Sequence, residues 1–556
     1  MLIVRTVSLA CVLAATAGIR AVPAYAASND ALHAERTVAP LLAMRAVDAH
    51  TVAPVAFSPM LHGPRFMLQF TGADPTMWRA RKAAARDNRF APFNFRPLPG
   101  ARTTFTPGFS DKIGGMADSA SICPYFGGCE PPDVAVAASS RWIVEGVNTS
   151  FALYGHSGNL QSGWPKTAQA LLGIPNPGSC DSNGPFLTNP RAMYDPVDQR
   201  FWISIVQVEG AFGINACPEQ SVLWVGVSQT NNPGGTWNVY AFDLRFGTSN
   251  AADFPEIGLD GLALYFGANM FGAKTGAFQY DEIFAAGKAA MEAGQPVTPL
   301  GLKKISAGGT LLDTIAPVLV EGVSPAAGLL VASFNINSGG GNCLSGCKGI
   351  EVFAMANQLV APSLSHVKVA SLNYSLPPLA DEPGCPACID TSDTRISATP
   401  VYSGGLISFA LNTAVTNAST TTAGIEWGQI QPTLAGQTIT AAAMRQNAIL
   451  SFSPDQSAVY GALMPDAANN LIMVFDTMSS TIKPSVDYVA RLSTDPPSTF
   501  EAPLVLKTGV TPTFNTSWGE YGATSYEGPL TNKIWMAAEY GADNGDWATV
   551  MALTHF

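Results

Sequence analysis

An all-β propeller is the fold class this sequence predicts, and three observations carry it. A short pattern, a polar lead followed by a β-rich run, a small turn and a second apolar run, occurs seven times after residue 132. The copies start at Asp133, Arg191, Asp253, Asp313, Asp393, Asn447 and Trp518, with gaps of 58, 62, 60, 80, 54 and 71 residues. A unit repeated at tens of residues marks a solenoid, propeller or array, and an all-strand unit selects the propeller. Gly and Pro together make 93 of 556 residues, as a chain with many tight turns needs. Seven copies give seven blades, with six as the alternative count.

The elements follow in chain order. Residues 1–26 read as a signal peptide. Arg5 supplies the positive start, Thr6 to Ile19 is mostly apolar, and Ala24-Tyr25-Ala26 offers a small-x-small cleavage site. The apolar stretch is too short for a transmembrane helix, and no later run is long enough for a membrane span. Residues 27–118 are rich in Ala, Pro and Arg with weak alternation, which predicts a mostly irregular N-terminal arm or a removable pro-segment. Within it, Asp74 to Asn88 fits one short helix opened by Asp74-Pro75. Residues 119–556 form the propeller. Phe278 to Ala293 is the best helix candidate inside it. The 80-residue gap carries long stapled loops, which are often functional.

Without Cys11, which lies in the signal stretch, eight cysteines remain. An even count in an exported chain implies disulfides. Proximity suggests Cys123 with Cys129, Cys180 with Cys217, Cys343 with Cys347, and Cys385 with Cys388. The last pair also has redox-motif spacing, but no βαβ setting surrounds it to lower a thiol pKa. The predicted location is therefore the periplasm or the medium.

Charge narrows the partners. Residues 27–130 carry 11 Lys+Arg and 8 Asp+Glu, whereas residues 131–556 carry 17 and 33. An acidic body argues against nucleic acid, whose phosphates need a basic face. An extracellular glycan or a protein partner remains. No HExxH, paired CxxC array, EF-hand loop, GxSxG elbow or phosphate loop is present, so no metal, cofactor or serine-hydrolase site is expected. His156 and His366 read as surface residues.

Two segments have the form of a Ser-x-Asp-x-Gly-x-Thr-Trp turn: Ser228 to Trp237 (SQTNNPGGTW) and Ser493 to Phe500 (STDPPSTF). Such turns bond their own backbone through hydroxyl and carboxylate oxygens. With the blade pattern and segments such as DFPEIGL and WGEYGAT, they make residues 120–556 resemble the Asp-box, sialidase-like propellers secreted by bacteria, of unassigned activity. The first copy lacks the Asp and the second lacks the Gly. The resemblance implies a propeller with its site in the central funnel. A true sialidase would bring three arginines, a Tyr-Glu pair and an Asp, and here only Arg191 and Arg395 stand at repeat starts.

The repeat starts nominate the site. If each leads into an innermost strand, polar residues there converge on one axis. Asp253, Asp393 and Glu520 are the candidate catalytic carboxylates, able to act as acid, base or nucleophile. Asp133, Arg191, Asp313, Arg395 and Trp518 are the candidate ligand-binding residues. Glu520 and Tyr521 are neighbours, which in a strand would face opposite ways. The function read from this is binding or hydrolysis of an extracellular carbohydrate through the funnel. If the protein is an enzyme, it is a glycoside hydrolase with paired carboxylates. A non-catalytic protein-interaction scaffold is the alternative, and a polysaccharide lyase the weaker one.

Overall fold

The computed structural model describes residues 31–56, 75–87, 109–124, 130–181, 183–334, 343–344, 346–417, 420–452, 455–513, 517–528, 531–543 and 545–556. The signal segment 1–26 and Cys129 lie outside the described residues. Seven antiparallel sheets stand around one axis as the blades of a β-propeller. From the axis outward, blade 1 runs Ala135–Ala138, Trp142–Val147, Ser150–Gly155 and Lys166–Thr167. Blades 2 to 6 start at the inner strands Leu187–Asp195, Asn250–Leu259, Ala316–Pro317, Val401–Ser403 and Ser457–Pro465. Blade 7 starts at Ala523–Tyr526.

N-terminal strands complete three blades. Phe109–Ala117 pairs antiparallel with the C-terminal strand Trp547–His555 and becomes the outer strand of blade 7. That pairing ties the chain's N-terminal side to its last blade. Leu41–Asp48 adds an outer strand to blade 2, and Leu32–Val38 does so for blade 3. Blades 4 and 5 are also sewn together, because Leu319–Val320, just past the inner strand of blade 4, pairs parallel with Val401–Ser403.

The core lies between facing blades. Trp202, Leu223, Tyr240 and Phe242 of blade 2 pack against Phe266 and Phe284 of blade 3, with the Phe242 and Phe266 rings stacked at 5.4 Å. This packing overrides local periodicity at Phe278 to Ala293. The predicted helix is instead the strand Phe278–Gly287 followed by a single helical turn, Lys288–Glu292. Tyr280 to Ala286 are buried on both faces, so a continuous apolar run there is a central strand. The helix expected at 74–88 is present as α1, Pro75–Arg86.

Two devices recur where blades meet. The first is a left-handed residue at the start of inner strands: Asp133 (φ 54°), Asn189 (φ 54°), Phe254 (φ 52°), Thr314 (φ 47°) and Tyr460 (φ 59°). In blades 2, 3 and 6 it coincides with a register shift in the inner hairpin. Such bulges re-aim side chains, here toward the axis. The second is an asparagine latch. Asn148, Asn269 and Asn412, each on or just past the second strand of its blade, accept from the backbone N–H of Asn189, Thr314 and Tyr460 at 2.7, 2.7 and 2.8 Å. A left-handed residue turns its N–H out of the ladder, and the amide of the preceding blade satisfies it.

Three expected disulfides are formed: Cys180–Cys217, Cys343–Cys347 and Cys385–Cys388. Cys123 is also disulfide-bonded. His366 is a correction. Its side chain is 6% exposed and its Nδ1 lies 2.9 Å from Glu351 Oε2, because the outer strand of blade 4 lays it beside Phe353 of the third strand.

Candidate functional site

The starts of the inner strands converge as their sequence positions imply. Asn189 Nδ2 lies 3.2 Å from Asp133 Oδ2 and 3.1 Å from Glu520 Oε2, so one amide joins blades 1, 2 and 7. The Glu520 N–H donates to Asp133 Oδ1 at 3.2 Å. Asp133 also accepts from Asn148 Nδ2 at 2.8 Å. Asp253 lies within electrostatic reach of both Asp133 and Glu520. Three carboxylates from blades 1, 3 and 7 therefore share one low-dielectric space.

Their protonation follows. Burial pushes Asp133 up to about 7, against the hydrogen bonds from Asn148 and the Glu520 amide. Burial raises Asp253 to about 6, while Arg395 pulls the other way. Glu520 is raised well above the ordinary carboxyl range, first by burial and then by Asp133 and Asp253. Like charges in one site cannot all ionise, so at neutral pH this cluster holds protons. Glu520 is the half-buried member, whereas Asp133 and Asp253 are buried.

The arginines are engaged by protein. Arg191 donates to Glu256 Oε1 at 2.8 Å, Ser397 O at 3.0 Å and Pro255 O at 3.1 Å, and its guanidinium lies 3.5 Å from the centre of the Tyr521 ring. Arg395 grips Asp393 through Nε and Nη2 at 2.9 and 2.8 Å and stacks 4.3 Å from the Phe254 ring. Burial alone would raise Asp393, but the Arg395 guanidinium holds it below the usual carboxylate value. Beyond Arg191 and Tyr521 the axis narrows to a cavity of about 30 Å³ lined by Val136, Tyr194, Glu321, Met464 and Tyr526, room for water and not for a sugar ring.

Asp133, Arg191, Asp253, Arg395 and Glu520 thus come together at one end of the axis, with Asp313 fully buried and within the electrostatic reach of Arg395. Two expectations are corrected. Asp393 is an arginine's ion-pair partner and no free carboxylate. Trp518 offers no ring to a ligand, because it is 2% exposed and its Nε1 donates to Asp476 Oδ2 at 3.0 Å. Glu520 and Tyr521 both face the axial cluster because the strand starts only at Ala523, so alternation does not apply to them. Glu256, Phe254 and Asn189 lie one to three residues from the repeat starts Asp253 and Arg191; the repeat itself was the signal that could have found them.

The Ser228–Trp237 and Ser493–Phe500 turns lie between the third and fourth strands of blades 2 and 6. Two acidic groups with ligand-like spacing occur among the described residues. In Glu382–Cys385–Cys388 the two sulfurs are bonded to each other. In Asp195–Asp198–Glu292 the Lys288 ammonium already lies 2.5 and 2.7 Å from the two aspartates.

No protein-family model matches the chain, and no curated protein matches it in sequence. Solved structures do match. Trypanosoma rangeli sialidase in complex with sialic acid aligns with 68% of this chain and 57% of its own, at 10% identity and a TM-score of 0.34. The chain thus spans less than two thirds of that sialidase. The parainfluenza virus 5 hemagglutinin-neuraminidase ectodomain aligns with 69% of this chain and 83% of its own, at 8% identity and a TM-score of 0.36. The Dos1 propeller covers 81% and 95%, at 8% identity and a TM-score of 0.37. Sialidases and other propellers are therefore among the structural neighbours of this chain, which is itself a seven-bladed β-propeller.

Proposed function

We propose that this is an exported protein that binds or hydrolyses an extracellular carbohydrate at the end of the propeller axis bearing Asp133, Asp253 and Glu520. The observation that carries the reading is the shared carboxylate space. Glu520 is held protonated by burial and by two neighbouring aspartates, while Asp253, at about 6, ionises near neutrality. Two carboxyl groups whose environments push their titrations apart are what glycoside hydrolysis uses: a proton donor for the leaving oxygen and a base or nucleophile beside it. Glu520 takes the acid role and Asp253 the base role. Asn189, bridging Asp133 and Glu520, fixes the acid's orientation.

Export accords with the disulfides and the leader-like N-terminus. Among the described residues no helix is long and apolar enough to cross a membrane.

Incubation with a broad polysaccharide panel tests the reading, with reducing ends and unsaturated products read for the wild type beside Glu520→Gln. Hydrolysis predicts new reducing ends and a drop of about 10²–10⁴ in rate for the variant. Unsaturated products would mean lyase chemistry. No product and no retention on any glycan would sink the carbohydrate reading. The scaffold reading has its own support in Arg191, which spends its donors on Glu256 and on the carbonyls of Pro255 and Ser397 and so ties blades together, while Arg395 spends its donors on Asp393 of its own segment.

A further inference from the structure

The segment from Asp390 to Ser397, which leads into blade 5, crosses the ring. Asp390 O accepts from Tyr460 Oη of blade 6 at 3.0 Å. Thr391 O accepts from Asn412 Nδ2 of blade 5 at 2.9 Å. Thr394 O accepts from Ser333 Oγ, at the end of the second strand of blade 4, at 2.6 Å. Arg395 stacks on Phe254 of blade 3, and Ser397 O accepts from Arg191 of blade 2. Eight residues therefore touch five blades in succession, and the carboxylates near them are largely shut off from solvent.

The N-terminal helix α1 pins the outer end of this segment. Lys82, fully buried, donates to Thr391 Oγ1 at 2.7 Å, to Pro377 O at 3.0 Å and to Ser392 O, and lies 3.4 Å from Asp390 Oδ1. Trp78 Nε1 donates to Asp390 Oδ2 at 2.6 Å, and Arg86 makes a two-pronged pair with Asp381 at 2.8 and 2.9 Å. Among the described residues the apolar contacts of the helix are those of Trp78 and Ala85 with Leu376 and Leu344. A small helix held chiefly by polar contacts is a unit that can open without unfolding the blades.

We propose that residues 390–397 form a gate across the axis and that α1 is its latch, so that undocking of the helix admits ligand to Glu520 and Asp253. The purpose of the gate rests on the carbohydrate reading, but its test does not need catalysis. Full-length wild type, Lys82→Met, Arg86→Ala and the control Arg79→Ala, on an exposed position of the helix, are treated with a carbodiimide and an amine. Mass spectrometry reads labelling of Glu520 and Asp253, and amide exchange is followed over residues 376–397 and over the blade-2 strand Arg200–Glu209. The latch requires labelling and 376–397 exchange to rise by about tenfold or more in Lys82→Met, less in Arg86→Ala and not in Arg79→Ala, with Arg200–Glu209 unchanged. Unchanged labelling in Lys82→Met overturns the proposal. Faster exchange in Arg200–Glu209 as well overturns it too, since the helix would then be part of the core. If Lys82→Met does not fold, that core role is the explanation unless Arg86→Ala folds and shows the selective rise.

Discussion

The backbone N–H of Glu520 donates to Asp133 Oδ1 at 3.2 Å, joining the last blade to the first inside the carboxylate cluster. Its neighbours are held in the same manner. Trp518 donates through its indole to Asp476 of blade 6, and the Gly519 N–H donates to Glu539 of blade 7. Three consecutive residues are thus fixed by carboxylates from three blades, which sets Glu520 at the axis without a strand to carry it. A Cβ at Gly519 would run into the Glu539 carboxylate, which would have to give up its place against the Gly519 N–H. Gly519→Ala is expected to cost about 1–3 kcal/mol in urea unfolding, as overpacking of a tight site does.

The carboxylate cluster sets a pH dependence with a definite sign. Asp133 and Asp253 have folded-state values of about 7 and about 6, above the ordinary aspartate value of 3.8. The folded state therefore binds their protons more tightly than the unfolded chain does. Their contribution is fully present below about pH 4 and is lost as pH rises through about 6 to 7. Asp393 opposes this only at low pH, because its lowered value makes its contribution fade on acidification. The urea midpoint is expected to fall between about pH 5 and pH 8, and to fall less in Asp253→Asn. An equal fall in both proteins would assign the effect to other groups.

Arg191 is a structural tie as well as a site residue. Arg191→Met leaves Glu256, which burial raises to about 8, without its arginine donor, and a buried acceptor stripped of its donor costs about 1–3 kcal/mol. Adding Glu256→Gln should restore part of that loss. Equilibrium unfolding of the two single variants and the double variant measures the coupling. Additive losses would show that the pair contributes nothing as a pair.

The asparagine latches predict an equivalence between distant positions. Asn269→Ala and Asn412→Ala each strand a buried backbone N–H, of Thr314 and Tyr460, and each should cost about 1–3 kcal/mol. Exchange of those two amides, followed by mass spectrometry or NMR, should accelerate selectively. Unaltered exchange in either variant would remove the latch from that blade boundary.

Much of this architecture was legible in the repeat. Six of its seven starts stand on inner strands, as Arg191 and Asp253 do, or within about eight residues before them, as Asp133, Asp313, Asp393 and Trp518 do, because a blade must begin at the axis. Asn447 does not. It lies within the outer strand Thr438–Leu450 of blade 5, where the run NAILSF continues an apolar strand that period and composition cannot tell from an inner one. The helix expected at Phe278 failed for a related reason, since burial on both faces erases the alternation that marks a strand. Asp393 and Trp518 stand where the repeat places them, but their partners, Arg395 and Asp476, decide their roles. Arg395 is two residues from Asp393, and its bidentate grip depends on a loop conformation that spacing does not specify. Asp476 comes from another blade, and only tertiary structure brings it to the indole.

The protonation of Glu520 is the most direct measurement of the carboxylate centre. Selective ¹³C labelling of glutamate carboxyls, with Glu520→Gln to identify the resonance, gives its titration in the full-length protein. A carboxyl that keeps its proton at about pH 7 is the expected result, with its midpoint falling in Asp253→Asn as one like charge is removed. A Glu520 resonance already that of a carboxylate at about pH 5, unchanged by Asp253→Asn, would contradict a shared proton-holding site at the axis.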